Sequence, residues 1–132
     1  MAALRVTAVG GEVPFQVRLS DGAHGWLADE PADHGGGDLG PGPRALLLSA
    51  LGACTAITLR MYASRKGWPL EGIEVELGYG EASEGTAIER RITLHGPLDA
   101  GQRARLLDIA NHCPIHKLLS GPIAIATALE EA

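Results

Sequence analysis

The stretch RALLLSALGACTAITLRMYASRK, residues 44–66, decides the fold of this chain. It contains one glycine, Gly52, and no proline, and its apolar residues recur at helical spacing, which predicts one long helix. Pro43 suits the first turn of such a helix, and Gly67, which follows two cations, suits its end. Because apolar residues occur on nearly every side, we expect this helix to be central and buried.

Short alternating segments precede the helix. A period-two alternation of apolar and polar residues ends at the turn pair Asp21 and Gly22 and predicts a strand. Its apolar members are Val13, Phe15, Val17 and Leu19. Residues 4–9 and 24–28 suit neighbouring strands, so we expect a three-stranded meander. The proline- and glycine-rich residues 29–43 then predict a mobile loop, either a plain connection or a lid over an active site.

A second hairpin and two shorter helices are predicted after the long helix. Residues 73–79 and residues 88–94 each show the period-two alternation of a strand, and the turn-rich residues 81–85 lie between them. Asp99 with Gln102 resembles a capping box that opens a helix ending near Cys113. Pro114 bends the chain into a short helical turn, and the alternation over residues 123–129 predicts a final strand. This order of elements predicts an α+β fold, with residues 1–132 forming a single domain.

Charge and composition exclude several classes of partner. The net charge is -5 and the acidic residues are spread along the chain, which lacks the basic footprint of a nucleic-acid-binding protein. The N-terminal residues form no continuous apolar signal region, and no later segment reaches transmembrane length without a charge or a proline. We therefore expect a soluble, cytoplasmic protein with no nucleic-acid or membrane partner.

The chain has two cysteines, Cys54 and Cys113. A reducing cytosol would not keep a structural disulfide closed, so a bridge between them would be transient, which favours chemistry. The alternative is that both are inert, buried residues. No carboxylate occurs between Asp38 and Glu71, whereas four cations do, and this pattern would favour a thiolate at Cys54. These cations are Arg44, Arg60, Arg65 and Lys66.

Cys113 belongs to the segment NHCPIH, residues 111–116. Pro114 removes one backbone donor and kinks the chain, which gives Cys113 the freedom to move that disulfide formation requires. A zinc site is the alternative, with His112, Cys113 and His116 as ligands. The fourth ligand would be Cys54, His34 or His95. Pro114 disturbs the helical spacing of the two imidazoles and no Cys-x-x-Cys pair is present, so we predict no metal.

Hydrolase chemistry is not supported by the serines. Ser49, Ser64 and Ser120 lack the sequence context of a nucleophile elbow. A pairing of Cys54 with His116 would need an orienting third group that the sequence does not provide. A binding module with an apolar pocket remains open, and it would tolerate Cys54→Ala whereas a thiol enzyme would not.

Four segments together resemble the OsmC family, the osmotically inducible and organic-hydroperoxide-resistance proteins. These segments are Gly40-Pro41, LLLSALGACT at residues 46–55, RMYA at residues 60–63 and HCPIH at residues 112–116. The resemblance implies an intertwined homodimer with antiparallel sheets around a long central helix. It also implies reduction of organic hydroperoxides or hydrogen peroxide without metal, flavin or other cofactor, with Cys54 as the peroxidatic thiol, Cys113 as the resolving thiol and an external thiol as reductant.

The charged residues that support the thiolate depart from the pattern of that family. The organic-hydroperoxide branch has an Arg after a Gly-Gly pair and an acid ten residues before the reactive cysteine, whereas this chain has Glu12 and Arg44 at those places. One hypothesis keeps the ion pair with its polarity reversed, so that Arg44 supplies the cation for Cys54. Ten helical residues rise about 15 Å, so this would need a break near Pro43 or the partner chain. Arg18 is the rival cation.

The charge exchange is equally consistent with drift in a less specialised branch that has weaker peroxidase activity. The alternative function is therefore an OsmC-like protein that binds an apolar ligand or senses redox state.

Overall fold

The computed structural model describes residues 3–80 and 87–130. The elements in these ranges are β1 (Thr7–Gly10), β2 (Val17–Ser20), β3 (Gly25–Ala28), a 3₁₀ helix (Ala32–His34), α1 (Pro43–Lys66), β4 (Gly72–Gly80), β5 (Ala87–His95), α2 (Ala100–Ala110) and α3 (Pro114–Ser120). The predicted α+β class, with antiparallel sheets and one long helix, is confirmed. The chain forms two compact units, Met1–Ser49 and Ala50–Ala132. The single-domain assignment stays a prediction.

The first unit contains the predicted meander, an antiparallel sheet in the order β1-β2-β3. The turn between β2 and β3 is held by the carboxylate of Asp21, which accepts hydrogen bonds from the Ala23 N–H at 2.9 Å and the His24 N–H at 2.6 Å. These bonds and a third from the His24 imidazole lower the pKa of Asp21 to about 2. Gly22 takes a left-handed conformation, φ +97°, as the predicted turn requires.

Strand β2 is shorter than its sequence pattern predicts. It begins at Val17, because Phe15 has a left-handed φ of 65° that interrupts the extended backbone. The Gln16 N–H donates to the Val13 carbonyl at 3.4 Å and closes a turn there. The assignment of Val13 and Phe15 to the strand was therefore wrong.

Residues 29–43 are organised by one carboxylate. Asp29 is 2% exposed, and its oxygens accept backbone hydrogen bonds from Glu30 at 2.7 Å, Leu39 at 3.2 Å and Gly37 at 3.3 Å. The pKa of Asp29 is lowered, chiefly by the bond from Glu30 and further by the bonds from Leu39 and Gly37. Burial acts in the opposite direction and raises that pKa. These bonds and the 3₁₀ helix give this loop a defined local structure. The mobility of the loop and its role as a lid stay predictions.

Helix α1 runs from Pro43 to Lys66, as the sequence predicts. Gly67 ends it in the left-handed conformation, φ +70°. The Gly67 N–H donates to the Ser64 carbonyl at 3.2 Å, and the Trp68 N–H donates to the Ala63 carbonyl at 2.9 Å. These two bonds satisfy carbonyls of the last turn and confirm the predicted glycine stop.

Only a narrow face of α1 is buried. Its buried residues recur at every fourth position: Leu51, Thr55, Leu59 and Ala63. Ile57 is 59% exposed and Met61 is 56% exposed, so the expectation of a helix buried on all sides is wrong for the single chain. The most apolar part of α1 has a mean hydropathy of 1.5, so by length and composition alone this helix could cross a membrane. In the single chain, 17% of that part is buried. Core helices of soluble proteins share this composition.

The second unit contains the predicted hairpin of β4 and β5, in which Val75 lies opposite Ile92 and Leu77 lies opposite Arg90. The connecting residues 81–86 lie outside the described residues. The capping box of α2 is confirmed, because Asp99 accepts from the Gln102 N–H at 2.7 Å and the Gln102 side chain accepts from the Asp99 N–H at 2.9 Å. The core of this unit consists of Leu59, Ala63, Leu70, Leu98, Leu106 and Ala110.

The predicted C-terminal strand is absent from the described part of this chain. Residues 122–130 have no regular secondary structure and are exposed throughout, including Ile125 at 83% and Leu129 at 99%. Their alternation is that of a strand, but a strand requires paired backbone, and no described segment pairs with these residues. The expectation of a strand at residues 123–129 is therefore corrected for the single chain.

Candidate active site

Cys54 lies in the middle of α1, next to Thr55 on the buried face. Its side chain is half-buried, and its Sγ lies 3.9 Å from the Thr58 hydroxyl one turn further along the helix. The spacing of four residues places these two side chains on one helical face. Helix packing thus holds the thiol at the surface of the core rather than inside it.

Cys113 lies at the junction of α2 and α3. Its side chain is completely buried, and it is the N-cap residue of α3, with Pro114 at the first helical position. Its Sγ accepts a hydrogen bond from the His116 N–H at 3.2 Å. The side chains of Cys54 and Thr55 lie near enough to the Cys113 thiol to lower its pKa. The structure therefore brings together the two cysteines, both as free thiols.

Opposing effects act on the protonation of Cys113. Burial is the largest single effect and raises the pKa of the Cys113 thiol. The His116 N–H, the side chains of Cys54 and Thr55, and the charge of Arg90 together outweigh burial and hold that pKa below the usual 9.0. These neighbours thus lower the pKa of a thiol that is shielded from solvent.

Arg90 supplies the cation of this cluster. It lies on β5. Its guanidinium donates to the Thr55 hydroxyl at 3.0 Å, to the side-chain oxygen Oδ1 of Asn111 at 3.2 Å and to His116 Nδ1 at 2.9 Å. One side chain therefore links α1, the end of α2 and α3 around the two thiols. A delocalised guanidinium suits this role because its donors point in fixed, divergent directions.

Thr55 connects Arg90 to the cysteines. Its hydroxyl donates to the Leu51 carbonyl at 2.7 Å, accepts from Arg90 and contacts the Cys113 thiol. The hydroxyl has a single proton, so the Leu51 carbonyl and the Cys113 sulfur compete for it. Donation from a cation polarises the O–H bond and makes the hydroxyl a better donor to a thiolate.

His116 is neutral in this arrangement. Because the guanidinium can only donate, His116 Nδ1 must accept, which places the imidazole proton on Nε2. Burial contributes most to a lowered pKa of His116, followed by the charges of Arg90 and His112. His112 is oriented differently, with Nδ1 2.9 Å from the Asp108 carbonyl. Within residues 3–80 and 87–130, no group of three or more His, Cys, Asp or Glu side chains could hold a metal ion.

A cleft of about 430 Å³ opens beside the cluster. Arg90 and His116 belong both to its wall and to the surroundings of Cys113. Most of the other wall residues are aliphatic. The lining consists of Leu51, Ile88, Arg90, Ile92, Leu107, Asn111, His116, Leu119 and Ser120. A small molecule in this cleft would meet both aliphatic side chains and the polar groups of Arg90, Asn111, His116 and Ser120.

Three of the residues predicted for the site lie in the first unit. Glu12 lies between β1 and β2, Arg18 lies on β2 and Arg44 is the second residue of α1, and all three are exposed. Both cysteines belong to the second unit. Support of the thiolate by Glu12, Arg18 or Arg44 stays a prediction.

The sequence-based reasoning missed Arg90, Thr55 and Asn111, and it considered His116 only as a metal ligand or the base of a hydrolase. One signal for Arg90 was present. In the alternation of β5, Arg90 occupies the row of apolar residues, between Ile88 and Ile92, whereas Arg91 lies on the exposed face. A charged residue on an inward-facing row requires partners, and this is a pointer to a functional site.

A family model described as OsmC-like protein matches residues 35–128. This range contains both cysteines and Arg90, whereas Glu12 and Arg18 lie outside it. No curated protein matches the chain.

Solved structures share the fold at low sequence identity. An OsmC-like protein from Mycoplasma pneumoniae has a TM-score of 0.77 and 22% identity, covering 91% of this chain and 89% of that one. The organic hydroperoxide resistance protein OhrB of Bacillus subtilis has a TM-score of 0.62 and 23% identity, covering 91% of this chain and 92% of that one. An organic hydroperoxide resistance protein OsmC from Legionella pneumophila has a TM-score of 0.67 and 20% identity, covering 92% and 91%. The family match and the shared fold lead to one conclusion: this chain belongs to the OsmC-like family.

Proposed function

We propose that this protein is a cysteine-based peroxidase that reduces organic hydroperoxides or hydrogen peroxide. One observation carries the proposal: the two cysteines of the chain lie in one cluster, in which the His116 N–H, neighbouring side chains and the charge of Arg90 lower the pKa of Cys113. A merely structural pair of thiols would not require a half-buried arginine beside it. Family membership and the names of two structural neighbours, which are organic hydroperoxide resistance proteins, support the same redox role.

The proposed catalytic cycle consists of two chemical steps at the Cys54 sulfur, followed by reduction of the disulfide. The Cys54 thiolate attacks one oxygen of the hydroperoxide, the O–O bond breaks, and the alkoxide leaves and takes a proton to become an alcohol. Cys54 becomes a sulfenic acid. The Cys113 thiolate then attacks the Cys54 sulfur, the S–O bond breaks, and hydroxide takes a proton to leave as water. An external thiol reductant finally reduces the disulfide.

Exposure supports this division of roles. Cys54 is half-buried and can meet a substrate, whereas Cys113 is completely buried and can meet only its neighbours. The aliphatic wall of the adjacent cleft suits the apolar part of an organic hydroperoxide. The catalytic cycle needs no metal or flavin.

The assembly is proposed to be a homodimer in the cytoplasm, without nucleic-acid or membrane partners. Exposed apolar residues on both units support a second copy as the partner: Val9, Val13, Phe15, Ile57 and Met61 are each more than half exposed. Residues 122–130 have the alternation of a strand and lack a described partner strand in their own chain. A second copy would cover these surfaces. The proposed roles of Glu12, Arg18 and Arg44 in supporting the Cys54 thiolate are therefore to be tested in the dimer.

Peroxide turnover tests the proposal. Wild-type protein, Cys54→Ser and Cys113→Ser are mixed with cumene hydroperoxide or hydrogen peroxide in the presence of dithiothreitol. We expect Cys54→Ser to lose turnover. In a parallel experiment without dithiothreitol, Cys113→Ser should complete one oxidation and stop at the sulfenic acid. Wild-type turnover by Cys54→Ser would overturn the proposal.

The cleft also supports a second candidate, binding of an apolar ligand or redox sensing with little peroxidase activity. A pure binding protein would retain its ligand affinity in Cys54→Ala. Loss of function in that variant, with the fold retained, favours the peroxidase.

A further inference from the structure

Arg90 touches three groups that are neighbours of the cysteines along the chain. Thr55 directly follows Cys54, and Asn111 and His116 lie on either side of Cys113. The guanidinium bonds to these groups span 2.9 to 3.2 Å. The position of Cys113 relative to Cys54 thus depends on one side chain that bridges their two segments.

The second half of the redox cycle places the greater demand on this cation. Cys113 is completely buried, and burial disfavours the thiolate that must attack. When the disulfide closes, Cys54 has become a sulfenic acid, so its thiol no longer donates to Cys113. The remaining support comes from the His116 N–H, the Thr55 hydroxyl and the charge of Arg90.

We propose that Arg90 is the positioning residue for disulfide closure, holding the segments of Cys54 and Cys113 in register and favouring the Cys113 thiolate. This inference rests on the proposed peroxidase function and assigns Arg90 to its second step. The chemistry is an exchange at sulfur: the Cys113–Cys54 S–S bond forms as the S–O bond of the sulfenic acid breaks, and hydroxide leaves with a proton as water. The oxidant is the hydroperoxide consumed in the first step.

Among the described residues, the titratable or charged groups that act on the Cys113 thiol are the Cys54 thiol on α1 and Arg90 on β5. The His116 imidazole on α3 lies beside them, and the charges of Arg90 and His112 act on it. His116 is neutral because its Nδ1 accepts from Arg90. Arg90 is therefore the permanent positive charge of the cluster, and its loss moves the pH dependence of closure upward.

A single-turnover experiment separates the two steps. Wild-type protein is mixed with one equivalent of cumene hydroperoxide from about pH 6 to about pH 10, and samples are quenched with dimedone. Mass spectrometry then counts the Cys54 sulfenic acid and the Cys54–Cys113 disulfide over time. The variants are Arg90→Gln, Arg90→Lys and, as matched control, Arg91→Gln on the opposite, exposed face of β5. Circular dichroism checks that each is folded.

Once the sulfenic acid has formed, we expect Arg90→Gln to close the disulfide roughly tenfold more slowly than wild type near neutral pH, so that the sulfenic acid accumulates. The pH dependence of its closure rate shifts to higher pH, and in alkali the rate approaches that of the wild-type protein. Arg90→Lys keeps a charge and restores much of the pH profile, and Arg91→Gln matches wild type. If Arg90→Gln does not fold, Arg90→Lys carries the test. We expect its closure to keep the wild-type pH dependence and to be slower at each pH, because lysine lacks the fork of donors.

Two different failures are distinguishable. Closure by Arg90→Gln at the wild-type rate and with the wild-type pH profile overturns the role of Arg90 and leaves the peroxidase intact. If Arg90→Gln does not fold, closure by Arg90→Lys at the wild-type rate overturns that role as well. Absence of any Cys54 sulfenic acid or disulfide in the wild-type protein overturns the proposed function itself.

Discussion

At the scale of single residues, burial and hydrogen bonding act on the Cys113 thiol in opposite directions. A fully buried thiol without donors would remain protonated and inert. Here the His116 N–H, two side-chain partners and the charge of Arg90 reverse that outcome. The lowered pKa of Cys113 is therefore a property of its neighbours, and each neighbour can be removed separately.

Thr55→Val tests one of these neighbours. Valine keeps the shape of threonine but removes the hydroxyl that accepts from Arg90 and contacts Cys113. We expect the pKa of Cys113 to rise. The chemical shift of the Cys113 Cβ carbon, followed by NMR over a pH series, gives that pKa without a reagent that must reach the buried thiol. Thr58→Val, which alters a contact of Cys54 instead, is the control, and the same Cys113 titration in wild type and Thr55→Val would count against the assignment.

Asp29→Asn tests the carboxylate that organises residues 29–43. The folded-state pKa of Asp29 is lowered, so its stabilisation is present above the usual pKa of 3.8 and is lost as the pH falls through the folded-state value. We expect the variant to unfold at lower urea concentration near neutral pH, with a difference that narrows in acid. Asp33→Asn, an exposed position of the same loop, should match wild type. A pH-independent difference between Asp29→Asn and wild type would refute the linkage.

At the scale of elements, the pattern of apolar residues predicted most helices and strands but not all their bounds. The ends of α1 and the capping box of α2 depend on local signals, which a sequence displays directly. Strand β2 depends in addition on the backbone angle of Phe15, which its residue type does not reveal. The buried role of Asp29 likewise arises from backbone groups up to ten residues away.

Gly96→Ala tests the connection between β5 and α2. Gly96 has a φ of +127°, and a Cβ there would lie 2.2 Å from the Pro69 carbonyl oxygen. We expect a loss of roughly 2 kcal/mol or more in the free energy of unfolding, measured with urea. Gly101→Ala, in the first turn of α2, has room for a Cβ and should be neutral or slightly stabilising. Wild-type stability of Gly96→Ala would show that the backbone can relax.

At the scale of the whole molecule, the uncovered apolar surface is the main difference from the prediction. The composition of α1 predicts burial on all sides, yet Ile57 and Met61 are exposed in the single chain. The C-terminal alternation also lacks a described partner strand. The proposed second copy would supply the missing partners in both cases. Arg90 was missed for a related reason: its partners come from three segments that only the fold brings together.

Sedimentation tests the dimer. Wild-type protein should sediment at twice the chain mass of 13.7 kDa. Ile57→Glu and Met61→Glu place a charge on the exposed apolar face of α1 and should shift the population toward the monomer, because burying an unpaired charge is costly. Thr93→Glu, an exposed polar position on β5, should leave the mass unchanged. A wild-type mass of one chain would exclude the dimer.

The most direct test of the central claim is the covalent state of the two cysteines after one equivalent of cumene hydroperoxide. The protein is denatured, alkylated and digested, and its peptides are analysed by mass spectrometry with and without reduction. We predict that wild-type protein loses the mass of two hydrogens and yields one linked peptide pair that joins Cys54 to Cys113. Two alkylated cysteines after the peroxide has been added would contradict the account.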